Sequence, residues 1–319
     1  MISKTNRVLG SAAARALRTR HYAFGPFVAL SAAVFWRPLL ALWHAALSFD
    51  FCSQVLIVPF VVVFLVAVRR TEVFREAGSS YVLGAAVSGI ALGICWFARN
   101  DAATLGAYDG VSLSTFGIVL LWAAGFCGIY GRKAARAGAF PLGFLLLAVP
   151  IPQWLLDRFV FGLQDGSTAI ARRLFEIVGV PVMRHGFDLY LPGLTIEVAK
   201  ECSSIRSSIA LVITCLLAGY LFLRSRWKRL ALVLVAIPLS VFKNAIRIVT
   251  LSLLSIYVNP EFMTSDLHRD GGILFYLLAL AILFPLFRWF ERLERREALG
   301  KAMRPSGPNK DDSMHELAV

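Results

Sequence analysis

The chain has 319 residues, of which 58% are hydrophobic and 17% charged, against about 45–50% and 25% in soluble domains. This composition excludes disorder for most of the chain, and five cysteines without paired spacing exclude a small disulfide-stapled scaffold. The 33 Lys+Arg against 20 Asp+Glu give a net charge of +13; in a chain this apolar, the excess reports membrane orientation rather than nucleic-acid binding.

Apolar runs predict an all-α polytopic membrane protein, since about 20 such residues cross the hydrocarbon core as a helix. Eight spans are expected, near residues 24–43, 51–68, 81–97, 114–130, 140–161, 204–223, 230–256 and 271–289. Pro150 and Pro152 interrupt the fifth, where a bend is expected. The first span starts late and has no small-residue cleavage site, which argues against a signal peptide. With the N-terminus inside, 22 of the 33 basic residues fall in inner segments and seven in outer ones. Four lie within spans: Arg37, Arg206, Lys243 and Arg247. This bias puts both termini in the cytoplasm. The expected organisation is a basic N-terminus (1–23), a four-helix region (24–138), a second transmembrane region (139–290) and a partly disordered cytoplasmic tail (291–319).

Residues 162–202 break the membrane pattern and read as an extracytoplasmic insertion. Ile170, Leu174, Ile177 and Val178 fall at helical spacing, with Arg172, Arg173 and Glu176 elsewhere on the wheel. That pattern suits an amphipathic helix lying on the membrane surface. Phe187, Leu189 and Leu191 then alternate with other positions, as do Leu194, Ile196 and Val198 after Pro192-Gly193. This predicts a short β-hairpin, with a Pro-Gly pair that favours a type II turn.

Three residues could carry chemistry. Cys202 follows the hairpin and opens the sixth span, where Ser203 and Ser204 can cap the helix. A thiol at a helix N-terminus has more of the nucleophilic thiolate form. The alternative is a buried structural cysteine, the reading that fits Cys52, Cys95, Cys127 and Cys215. Arg247 lies in an otherwise apolar span with Lys243 and Asn244 on its face. Such a charge costs at least about 2.5–3.5 kcal/mol on insertion, so it faces protein or a wet cavity; the alternative is a structural pair with, for example, Glu201. Arg206 stands one turn after Cys202 as a supporting cation. His268, in Asp266-Leu267-His268-Arg269-Asp270-Gly271-Gly272, enters the last span from outside, with His185 as its rival. Three successive spans thus bring a thiol, a fixed cation and a proton carrier to one side, the minimum for acyl transfer. No His, Cys and carboxylate spacing matches a zinc template, and no cofactor is expected.

The segments Glu201-Cys202-Ser203-Ser204-Ile205-Arg206-Ser207, Asn244-Ala245-Ile246-Arg247-Ile248 and His268-Arg269-Asp270-Gly271 resemble the three motifs of the exosortase/archaeosortase family. Similarity extends through 141–152 and 191–198, and covers about 139–286. The chain departs from the family at Ser204, where the usual residue is Gly. The resemblance implies a membrane cysteine transpeptidase with Cys202, Arg247 and His268 as its catalytic residues, supported by Glu201, Ser203, Arg206 and Asn244. Implied substrates are membrane-anchored proteins with a C-terminal tripartite sorting signal of the Pro-Glu-Pro kind, cleaved at the outer face of the cytoplasmic membrane. A lipid or amine is the implied acceptor, and exopolysaccharide export the implied context. The alternative reading is a non-catalytic transporter or exopolysaccharide-export component, in which Arg247 and Lys243 conduct anions.

Overall fold

The computed structural model describes residues 2–198, 205–259 and 272–302. The chain divides into two compact units, Met1–Phe159 and Val160–Val319.

The first unit begins with α1 (Ile2–Val34) and α2 (Trp36–Ser48), which meet at a 79° bend. Pro38 explains the break, because its ring crowds the carbonyl four residues back, that of Val34, and offers it no N–H. A 3₁₀ stretch (Asp50–Leu56) precedes α3 (Val58–Val68), so the expected second span is α-helical over only 11 residues. Next come α4 (Tyr81–Asn100), α5 (Ala107–Ala137) and α6 (Ala139–Phe144). The antiparallel α4–α5 pair owes its closeness to small residues. A Cβ on Gly84 would stand 2.6 Å from the Gly128 Cα, and one on Gly117 2.5 Å from the Cys95 Sγ. α5 breaks at Gly131, whose φ of +86° favours glycine. Beside the break, Gly78 N donates to Tyr130 O (2.9 Å) and Ser80 N to Gly128 O (3.0 Å).

The expected fifth span is not one helix. After α6 and one 3₁₀ turn (Leu145–Ala148), the chain breaks through Pro150 and Pro152 and resumes as α7 (Gln153–Val178). The break is satisfied locally: Ser112 Oγ donates to Pro150 O (2.5 Å), and Gln153 N donates to Asp109 Oδ1 (2.7 Å). The bend was legible from the two prolines; the length of the helix after it was not.

In the second unit α7 leads to a three-stranded antiparallel sheet, β1 (Met183–His185), β2 (Asp188–Leu191) and β3 (Leu194–Glu197). Leu191 pairs with Leu194 across Pro192-Gly193, so the expected hairpin is present in the expected register. Gly193 has a φ of +75°, as the third position of a type II turn requires. β1 was not foreseen; it pairs with β2 across Gly186-Phe187. One face of the sheet is apolar, and Leu189, Leu191, Ile196 and Val198 form a buried cluster with Ala171 and Phe175 of α7. The apolar stripe of the expected amphipathic helix is covered by protein. Ile170 and Leu174 turn inward onto this cluster, the stripe centres on Ala171 and Phe175, and only Ile177 and Val178 stay exposed.

α8 (Ile205–Phe222), α9 (Arg226–Tyr257) and α10 (Gly272–Ala302) complete the unit around Leu211, Cys215, Leu232, Ala236, Ala279 and Leu283. Only three residues join α8 to α9, so the two run antiparallel. Glu294 of α10 accepts from Arg224 N and Ser225 N (both 2.8 Å) at that turn, and Lys228 pairs with Glu297 (2.9 Å). The C-terminal part of α10 therefore lies at the α8–α9 turn, and its first residues lie towards the start of α8, while α9 runs on past that level to Tyr257. α10 runs well beyond the expected end of the last span near Trp289, to Ala302. The tail expected to be disordered after Met303 lies outside the described residues.

Five helices among the described residues are long and apolar enough to cross a membrane, and seven if each of two bent pairs counts as one span. The expected spans fall on helical segments, but the first and fifth are each split between two bent helices and the second is α-helical over only 11 residues, so eight full spans are not seen among the described residues.

Candidate functional site

The site is built on one face of α9. Ser240, Lys243, Asn244 and Arg247 recur at three- and four-residue spacing, which places them on one stripe. Lys243 is 2% exposed and Asn244 0%, so both need partners inside the protein. Lys243 Nζ donates to Ser207 Oγ in the first turn of α8, and Asn244 Nδ2 donates to Ser167 Oγ of α7 (3.0 Å). Ser167 Oγ in turn donates to Val241 O (3.4 Å). A Cβ on Gly166 would stand 2.8 Å from Val241 Cγ1, so glycine lets α7 approach α9 here.

These contacts fix the level of Arg247 in the unit. Lys243 is level with the first turn of α8, and Arg247 lies one turn further along α9, about 6 Å on. Beyond Arg247 the helix continues for ten residues to Tyr257. That stretch is roofed by the sheet and by α7, through Ile248, Val249, Leu253 and Ile256 in one cluster with Phe175, Ile196 and Val198. Arg247 is half-buried and Arg206 exposed.

Strand β3 is tied down where it leaves the sheet. Val198 N donates to Phe187 O (3.1 Å), and Val198 O accepts from Gln164 Nε2 (2.7 Å), whose side chain is buried in α7. Glu201, Cys202 and Ser203 lie between this anchor and α8, outside the described residues, as does His268 between α9 and α10. Among the sequence candidates, the structure brings Asn244 and Arg247 together on α9, with Ser207 alongside. The rival His185 stands exposed on β1, on the sheet edge.

Gln164, Ser167, Thr168 and Ser207 escaped the sequence reading. The signal was there: 164, 167, 168, 171 and 175 keep helical spacing, so the small polar residues continue the apolar stripe of α7 into the α9 contact. The other cysteines fit structural roles. Cys52, Cys95 and Cys215 are buried and Cys127 is half-buried; Cys52 Sγ and Tyr108 Oη are 3.6 Å apart. Among the described residues, no group of three or more His, Cys, Asp or Glu could hold a metal ion.

A family model described as transmembrane exosortase (Exosortase_EpsH) matches residues 43–285. The chain belongs to the exosortase family. The match takes in both units and all of the α9 stripe. No curated protein and no solved structure matches this exosortase-family chain. Membership makes it a multi-pass membrane protein of a transmembrane exosortase family, in agreement with its apolar helices.

Proposed function

We propose that the protein is a cysteine transpeptidase that cleaves C-terminal sorting signals of membrane-anchored proteins at the outer face of the cytoplasmic membrane. Family membership supports the reaction class. The observation that carries the assignment to residues is the bond from Lys243 to Ser207, which ties the first turn of α8 to the α9 face that bears Arg247. Cys202 precedes Ile205 by only three residues, and His268 precedes Gly272 by four. Both flanking helix ends lie at the same end of the second unit as Arg247.

In the proposed reaction the Cys202 thiolate attacks the carbonyl carbon of the scissile peptide bond. Arg247 stabilises the resulting oxyanion or holds a substrate carboxylate. The C–N bond breaks as His268 gives its proton to the leaving amine, which leaves a thioester on Cys202. Water or an acceptor amine then attacks the thioester carbonyl and loses a proton to His268, and the thiolate is released. Glu201, Ser203, Arg206 and Asn244 support this set. The catalytic region is 139–290, with 162–202 extracytoplasmic and both termini cytoplasmic.

The test is processing of a membrane-anchored reporter with such a signal, with each variant's membrane level checked. Cys202→Ala abolishes conversion, while Cys95→Ala, Cys127→Ala and Cys215→Ala retain it. Arg247→Lys keeps the charge but loses the planar two-donor fork, and falls by about 10²–10³, the loss typical of one oxyanion donor. His268→Gln is severely slowed, because Gln carries no proton. Normally inserted Cys202→Ala protein that still converts substrate at the parent rate ends this reading and favours the transporter alternative.

A further inference from the structure

The first unit contains a cavity of about 590 Å³ between α1, α3 and α5, remote in sequence from every residue of the proposed reaction. Its lining changes character along its length, and the three helices agree on the direction. α1 supplies His21 at one end and Val28 at the other, about 10 Å apart; α5 supplies Tyr130 and Trp122, about 12 Å apart. α3 supplies Pro59 at the Val28 end, and the chain leaving it supplies Arg70 at the His21 end. All the polar groups thus gather at one mouth. The far end is saturated, because Trp122 Nε1 donates to Ser31 Oγ (2.8 Å).

The polar mouth is cationic. His21 Nδ1 and Tyr130 Oη share a 2.7 Å hydrogen bond. Arg70 lines the cavity, and Arg20, which precedes His21 without lining it, interacts electrostatically with Tyr130. The nearby carboxylates are engaged elsewhere: Glu72 pairs with Arg69 (2.9 Å) and Glu76 with Lys133 (2.8 Å).

We propose that this cavity is a binding site for one anionic phospholipid, its acyl chain along Val28, Trp122 and Pro59 and its phosphate accepting from Arg70, at a mouth to whose positive charge Arg20 adds. An apolar shaft parallel to the membrane-spanning helices with cations at one end matches the shape and charge of such a lipid. A zwitterionic headgroup would bring its own cation to a mouth that is already positive. The basic-residue bias puts this mouth in the cytoplasmic leaflet.

The test is native mass spectrometry of the full chain in detergent micelles with added phosphatidylglycerol or phosphatidylcholine. The expected result is one retained phosphatidylglycerol, preferred at least tenfold. Arg20→Gln with Arg70→Gln removes the preference, and Ala67→Phe, which narrows the shaft, lowers retention of both lipids. Arg288→Gln, in the second unit, changes nothing. A thermal melt of the unaltered protein gives a second readout that needs no variant: its Tm rises with phosphatidylglycerol and not with phosphatidylcholine. Equal retention of the two lipids, an intact preference in the double variant, or an equal Tm rise with glycerol phosphate alone overturns the proposal. Cys202→Ala protein binds the lipid as the parent does, so this result is independent of the catalytic reading.

Discussion

Replacing Lys243 with Met should separate the stability of this protein from its activity. Lys243 is a cation buried in the middle of a 32-residue apolar helix, with Ser207 Oγ accepting from its Nζ. A lysine at a helix centre costs about 2.5–3.5 kcal/mol on insertion, and a hydrogen bond from a charged donor returns about 1.5–3 kcal/mol. The two nearly cancel, and Arg247 one turn away adds like-charge repulsion. Met fills a similar volume without a charge, so Lys243→Met should be neutral or stabilising, by up to about 2 kcal/mol. Ser207→Ala should do the opposite, because it removes the acceptor and leaves the charge: a loss of about 1–3 kcal/mol. The double variant measures the coupling between the two, and Ser207→Ala should cost less in the Lys243→Met background than in the parent. Reversible unfolding in mixed micelles measures all three. Processing should fall in Lys243→Met despite its stability, because the first turn of α8 is no longer held against α9. A Lys243→Met protein that is less stable by more than about 1 kcal/mol, beside a neutral Ser207→Ala, would refute the reasoning.

Three further outcomes follow from packing and charge. Gly84→Ala sets a Cβ against the Gly128 backbone at 2.6 Å and should cost about 1–3 kcal/mol or more, whereas Gly89→Ala in the same helix meets nothing within 4 Å and should be neutral or stabilising by up to about 1 kcal/mol, both read by unfolding in micelles. Phe175→Ala empties a fully buried position between α7, the sheet and α9 and should cost about 3–5 kcal/mol, with processing lost alongside stability. Reporter fusions after Arg70, Arg136 and Arg226 and at the C-terminus should report cytoplasm and one at Gly193 the outside; a cytoplasmic signal at Gly193 would overturn both the topology and the proposed active side.

What the sequence made legible depended on how local the cause was. Hydrophobic run length is a local property, so the expected runs fall on helices, five to seven of them long and apolar enough to span among the described residues. The Pro150/Pro152 break and the Pro192-Gly193 turn are set by the residues themselves. The bend before Trp36 was equally local, written in Pro38, but it hides inside an apolar run that looks continuous to a hydropathy count. β1 was missed because three residues around His185 carry too little alternation to count as a strand until β2 lies beside them. The amphipathic helix was assigned to the membrane surface because a periodic apolar stripe says only that something apolar covers it. Whether that is lipid or protein is a tertiary fact, and here Phe175 meets Ile248 and Val249. At the site, Asn244 and Arg247 stood out as polar residues in an apolar span, while Ser167 and Ser207 did not. A serine in a membrane helix is inexpensive alone and gains meaning only when Asn244 or Lys243 reaches it.

The same contacts explain why α9 can tolerate a polar stripe at all. Asn244 and Lys243 are each answered by a serine from a different helix, α7 and α8. The turns beyond Arg247 are roofed by a small sheet whose inner face is wholly apolar. Lipid could supply neither the hydrogen-bond partners nor the roof. The sheet is itself held by Gln164, which binds the carbonyl of Val198 from α7, one turn before the serine that binds Asn244. One face of α7 therefore fixes both the strand that leads toward Cys202 and the helix that carries Arg247. Gln164→Leu tests this positioning role: it leaves α7 apolar and packed, but frees the end of β3. The substitution should cost about 1–3 kcal/mol of unfolding free energy, because the buried Val198 carbonyl loses its side-chain donor. Processing by the proposed Cys202–Arg247 pair should fall at least tenfold. Unchanged processing in Gln164→Leu would mean that the strand end is held by something other than α7.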